Sequence, residues 1–182
     1  MILTAYFSQK GETYMNRKIV VVDKGNTQII AERIAMKIET TLFHIEKEGG
    51  YPTTYNGMVE IAKEEWHQNA RPDVNGKIEN MDQYDTIILG YPSWCGTMPK
   101  VVCTFLESYD LTNKRIIPYC TNEGSGLGSS IKDLQQLLPH CQILPGTSIH
   151  GAEASVVTTE IERIINLALR GNECSDILSN ND

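Results

Sequence analysis

Three short segments carry residues whose types and spacing suit a flat ligand with a phosphate. The first is Ser8, Gln9 and Lys10, joined after an interval by Gly25-Asn26-Thr27 at the opening of a helical stretch. A helix N-terminus exposes unpaired N–H groups and about half a positive charge, which together favour a phosphate. The hydroxyls of Ser8 and Thr27 would add neutral donors, and Lys10 a point charge. The plainer reading makes Asn26 or Thr27 only the cap of that helix. A competing triplet, Gly11-Glu12-Thr13, stands closer to Ser8, but the residues after it are strand-like, so the helix is expected to start at the later triplet.

The second segment is Tyr91-Pro-Ser-Trp-Cys-Gly-Thr-Met-Pro99. Pro92 and Pro99 fix its ends, and Gly96 permits a turn closed to other residues. Trp94 is expected to face a cleft as a stacking platform; the alternative is an indole packed back on the core. The third segment, Thr121-Asn-Glu-Gly-Ser-Gly-Leu-Gly128, is rich in glycine. Such backbone can approach a flat ligand and present its N–H groups; the alternative is a plain turn.

Other chemistries are poorly supported. Gly124-x-Gly126 follows a strand-like run, but Ser129 stands at the third glycine position of a dinucleotide fingerprint, and no acidic residue follows at the required distance. There is no Walker lysine motif, no GxSxG serine, and no cysteine followed six positions later by arginine. Cysteines 95, 103, 120, 141 and 174 form no CxxC pair, which fits neither structural zinc nor a secreted disulfide framework. Acidic residues outnumber basic ones 23 to 16, a net charge of −7, so nucleic acid and anionic membranes are poor partners. The start MILTAYFSQK lacks the basic region of a signal peptide, and no apolar run nears the ~20 residues of a membrane helix. A cytoplasmic, reduced protein is expected.

The elements that must position these segments alternate along the chain. Near-continuous apolar runs at Ile2–Phe7, Thr41–Ile45, Thr86–Tyr91, Arg115–Cys120 and Cys141–Ile149 read as strands covered on both faces. Between them run stripes of helical period: Ile30/Ile34/Ile38, Met58/Ile61/Ala62/Trp66, Val101/Val102/Phe105/Leu106, Leu127/Ile131/Leu134/Leu138, and Val157/Ile161/Ile164/Ile165/Ala168. Five strands alternating with five helices predict an α/β fold with three layers, a doubly wound parallel sheet with right-handed crossovers. With 182 residues, 41% hydrophobic and 21% charged, one domain over 1–170 is expected, with Gly171 as a helix cap and a polar tail over 171–182. Residues 9–25 break the rhythm. Their Lys18-Ile-Val-Val-Val22 run is a small hairpin arm, an extra edge strand or a surface insertion. In an open α/β sheet the ligand site lies beyond the carboxyl ends of the strands, where all three segments fall.

Together these residues resemble the flavodoxin family, specifically a longer branch with an insertion before the first helix. Tyr6-Phe7-Ser8 with Gly25-Asn26-Thr27 is similar to its phosphate loop, and Gly90–Pro99 and Thr121–Gly128 to its two flavin loops. The resemblance covers roughly residues 1–170 and implies strand order 2-1-3-4-5 and bound FMN. Ser8, Gln9, Lys10, Asn26 and Thr27 would hold the phosphate. Pro92, Ser93, Trp94, Cys95, Gly96 and Thr97 would line one side of the ring, and Thr121, Asn122, Glu123, Gly124 and Gly126 the other. The third segment lacks the tyrosine that many flavodoxins place there, which would leave one ring face open. The implied function is electron transfer or NAD(P)H-dependent reduction through the flavin, with a redox partner protein or NAD(P)H and a small acceptor. The alternative is a non-redox module for another phosphate-bearing ligand or a protein partner. No catalytic side chain is expected. His150, at the end of the fifth strand, would face the cleft.

Overall fold

Residues 2–7 and 86–91 are buried on both faces as central strands, and 41–45, with Thr41 and Leu42 exposed, forms the edge strand beside them. The computed structural model describes residues 1–170; the expected cap at Gly171 and the tail over 171–182 lie outside the described residues. Strands β1 (Ile2–Phe7), β4 (Thr41–Ile45), β5 (Thr86–Pro92), β6 (Arg115–Asn122), β7 (Gln142–Ile143) and β8 (Thr147–His150) form one parallel sheet. Its order is β4-β1-β5-β6-β7, with β8 also paired to β6. Counting β7 and β8 as one strand and setting the hairpin aside, this is the expected order 2-1-3-4-5.

Helices α2 (Tyr55–His67), α3 (Lys100–Glu107) and α4 (Ser130–Leu137) cover one face; α1 (Asn26–Ala35) and α5 (Thr159–Leu169) cover the other. Alternation along each strand divides the core between them. Leu3, Ala5, Phe7, Ile87, Leu89 and Tyr91 point to the first layer. Ile2, Ile88, Ile117 and Tyr119 meet Ile30, Ile34, Ile161 and Ile164 in the second. Each isoleucine fully buried in this way contributes about 1.5–3 kcal/mol. One member of the expected stripes is misplaced: Trp66 is 46% exposed, and the inward positions of α2 are Met58, Ala62 and Glu65. Glu65 is tolerated there because it accepts a hydrogen bond from the Tyr51 hydroxyl (2.8 Å) and pairs with Lys47.

The fifth strand is not the continuous run expected over Cys141–Ile149. Pairing puts Ile143 opposite Ile116 and then resumes with Thr147 opposite Tyr119. Three residues, Leu144, Pro145 and Gly146, thus face two, Ile117 and Pro118, which is a bulge of one residue. The cause is chemical. Ile116 accepts from Leu144 N–H, so Pro118, two positions on, faces the same edge and has no N–H to give. In a regular parallel ladder that N–H would go to Leu144 O, so the pairing breaks after Leu144.

The insertion is a hairpin arm. Strands β2 (Gly11–Met15) and β3 (Lys18–Val22) pair antiparallel as a separate two-stranded sheet. Asn16 and Arg17, with φ of 51° and 64°, make the mirror-image turn whose twist matches that of the flanking strands.

Candidate functional site

The first turn of α1 is held open by its neighbours. Gly25 sits so close to Ser8 Oγ and Gln9 O that a Cβ there would collide with both. Ser8 Oγ accepts from Gln28 N–H (3.2 Å), which satisfies one orphan donor. Gly25 itself, at the cap position, makes no side-chain bond, and the first turn carries no acidic residue. The cap is therefore supplied from β1, and neither Asn26 nor Thr27 serves as one. From below, Tyr119 lies where Gly90 leaves room and donates its hydroxyl to Thr27 O (3.0 Å). The Thr27 and Thr121 hydroxyls meet at 2.8 Å, which ties this turn to the end of β6. The positive end of the helix dipole thus opens onto a cleft of about 410 Å3, within the usual range of small-molecule sites.

Eleven of the sequence-predicted residues line that cleft: Ser8, Gln9, Asn26, Thr27, Pro92, Ser93, Trp94, Cys95, Thr121, Asn122 and Glu123. The second and third segments meet where Ser125 Oγ donates to Ser93 Oγ (3.0 Å). Five do not line it. Lys10 is exposed and outside the wall, on the residue just before β2 begins at Gly11. Thr97 donates its N–H to Trp94 O and its hydroxyl to Asp133 Oδ2 (2.5 Å), and it faces a smaller cavity beside Lys100. Gly96 is the second positive-φ residue of the turn that Cys95 begins, and its carbonyl accepts from Ser129 N–H. The N–H groups of Gly124 and Gly126 are both donated to Asn122 Oδ1 (3.0 Å each), so they are not presented to a ligand.

Trp94 differs most from expectation. It is 9% exposed, clamped edge-on by Phe7 (5.1 Å between centroids) and Tyr51 (4.9 Å). Its indole is part of the core and offers the cleft only a margin. Beside it, burial pushes the Cys95 thiol above its ordinary value, against the pull of Lys63 and Lys100, so the group stays a thiol at neutral pH. His150 does not line the cleft; it stands 3.6 Å from Glu123 Oε2.

The cleft has a wall that sequence reasoning missed. Glu12, Thr13 and Tyr14 of β2 line it, with Tyr55, Met58, Val59, Ala62 and Lys63 of α2. Met58 and Ala62 had been visible only as a core stripe. The usable signal was position: an insertion directly after Ser8 must start at the carboxyl end of β1. Glu12 Oε2 accepts from Tyr55 N–H (2.8 Å) and so caps α2 from outside, whose own Thr54 makes no capping bond. Among the described residues no group of three His, Cys, Asp or Glu could hold a metal ion, and no helix is long and apolar enough to cross a membrane.

No curated protein matches the sequence. Among solved structures, a Bacteroides eggerthii protein described as a candidate flavoprotein superposes with a TM-score of 0.72 at 26% identity, covering 91% of this chain and 96% of its own. Its Bacteroides uniformis counterpart gives 0.69 at 24% identity, covering 92% and 96%. A Lactobacillus acidophilus flavoprotein solved in complex with FMN shares the fold, with a TM-score of 0.62 at 18% identity over 84% and 94%. The flavodoxin family model matches residues 1–165, and the chain belongs to that family.

Proposed function

We propose that this protein binds FMN in the cleft and works as a flavodoxin-like redox protein. The observation that carries the reading is the open first turn of α1 sharing one cleft with Pro92–Cys95 and with Asn122, Glu123 and Ser125. The donor set suits a phosphate: helix N–H groups, the Ser8 hydroxyl and no carboxylate in the first turn. Each hydrogen bond to the charged group would contribute about 1.5–3 kcal/mol. The walls beyond it suit a flat apolar ring, since Met58, Val59, Ala62 and the margin of Trp94 face the same space. A flavoprotein of the same fold that holds FMN supports the choice of ligand.

When bound, FMN supplies the electron-accepting chemistry, and the protein binds, orients and tunes it. Ser8, Asn26 and Thr27 would hold the phosphate. Pro92, Ser93 and Cys95 would contact the ring from one side, and Asn122, Glu123 and Ser125 from the other. Both carboxylates on the cleft wall are already engaged: Glu12 by Tyr55 N–H, and Glu123 by Asn16 N–H and Ala152 N–H. The reading is electron or hydride transfer at the flavin, taken from NAD(P)H or a redox partner protein and passed to a small acceptor. The free thiols Cys95, Cys103, Cys120 and Cys141 fit the reducing cytoplasm.

Thermal-shift screening of FMN against riboflavin, sugar phosphates and nucleotides tests the ligand. Stabilisation by FMN above all others is expected; a larger rise with a sugar phosphate or nucleotide would make the protein a non-redox module. Anaerobic addition of NADPH to the FMN-loaded protein then separates the roles, because bleaching marks a reductase and its absence a carrier.

A further inference from the structure

The inner strand of the hairpin forms one wall of the cleft and is fastened at both ends. At one end Glu12 N–H donates to Thr53 O, and its carboxylate accepts from Tyr55 N–H, each at 2.8 Å. Four residues on, Asn16 N–H donates to Glu123 Oε2 (3.0 Å) in the loop after β6. An extended strand covers about 13 Å in four steps, so β2 bridges α2 to the β6–α4 loop. Between the two fastenings, Thr13 and Tyr14 line the cleft. The outer strand β3 turns Ile19 and Val21 to solvent, Val21 being 75% exposed.

The Tyr14 and Tyr55 rings stand 6.2 Å apart and tilted by 33°, beside Met58, Val59 and Ala62. Apart from the margin of Trp94, these two rings are the aromatic part of the cleft wall. The end of β6 and the loop after it contribute Thr121, Asn122, Glu123 and Ser125, with no aromatic ring. A ligand anchored by phosphate at α1 therefore meets its aromatic contact under the hairpin.

We propose that residues 11–22 form a strap over the cleft, fastened through Glu12 and Glu123, and that Tyr14 with Tyr55 is its contact with the ring of the bound flavin. This rests on the FMN reading above. The strap holds the ring end of the ligand while α1 holds the phosphate end, so release requires the strap to lift.

The test is FMN release on dilution, followed by recovery of flavin fluorescence, together with the visible spectrum of the bound flavin. Tyr14→Ala is expected to release FMN at least tenfold faster than the unaltered protein and to shift the flavin absorption bands. Val21→Thr, on the outer face, is expected to match the unaltered protein. A variant with residues 12–21 replaced by a Gly-Ser linker should release at least as fast as Tyr14→Ala; if it fails to fold, Tyr14→Ala alone decides. FMN should also slow tryptic cleavage at Arg17 and Lys18 at least fivefold. Tight FMN binding with unchanged release and spectrum in Tyr14→Ala overturns the strap and leaves the FMN reading standing. No FMN binding by the unaltered protein overturns that reading and the strap with it.

Discussion

The two ends of the cleft are built by different means. The α1 end is made of the sheet itself: Ser8, Thr27 and Thr121 are buried, and Tyr119 and Gly90 lock them from below. The hairpin end is an addition, anchored by Glu12 and Asn16, with Tyr14 41% exposed and the outer strand turning Ile19 and Val21 to solvent. The α1 end is inseparable from folding, whereas the hairpin end can be altered with little effect on the core. Substitutions at the sheet side should therefore move stability and affinity, and substitutions in the hairpin mainly the kinetics of binding.

The largest effect is expected at the core side of the wall. Trp94→Ala should lower unfolding free energy by about 3–5 kcal/mol in urea denaturation, because it empties the space between Phe7 and Tyr51. A change under about 1 kcal/mol would mean the indole belongs to the ligand rather than the core. Alkaline pH probes the same side. Burial pushes the Cys120 thiol up from 9.0 to about 12. Its stabilising contribution is whole below pH 9 and is lost as pH rises to about 12, since the unfolded chain releases that proton first. The loss is up to about 4 kcal/mol, and Cys120→Ala should make that part of the pH profile shallower, leaving the share due to Tyr51, Tyr91 and Tyr119, whose hydroxyls burial also pushes up.

Affinity comes next. Gly25→Val forces the first turn of α1 away from Ser8 and Gln9 and should weaken FMN about 100-fold, or ~2.7 kcal/mol. Ser8→Ala removes one hydroxyl and should cost about tenfold, read by the same fluorescence titration. The smallest effect belongs to the hairpin: Glu12→Gln should lower stability by about 0.5–1 kcal/mol through the weakened cap on α2. A loss as large as that of Trp94→Ala would erase the distinction between the two ends.

The same division explains what the sequence revealed. The strands and the start of α1 were legible because near-continuous apolar runs and the Gly25-Asn26-Thr27 triplet are local signals, whereas strand order came with the family resemblance. The break in the fifth strand was not read because it depends on a residue of another strand, Pro118, on the edge of β6 that Leu144 pairs with. Trp94 was misplaced because the rings that bury it, Phe7 and Tyr51, come from other parts of the chain. The hairpin wall stayed hidden for a similar reason. Its fastenings join Glu12 to Tyr55 and Asn16 to Glu123, partners 43 and 107 residues apart, and no periodicity announces them.

The central claim is that the open turn of α1 anchors a flavin phosphate. Titrating FMN into the purified protein and into Gly25→Val, with flavin fluorescence as the readout, tests it most directly. Saturable quenching at one FMN per chain, lost or weakened about 100-fold in Gly25→Val, is the result expected. Unquenched fluorescence with the unaltered protein, or equal affinity in both, would contradict it.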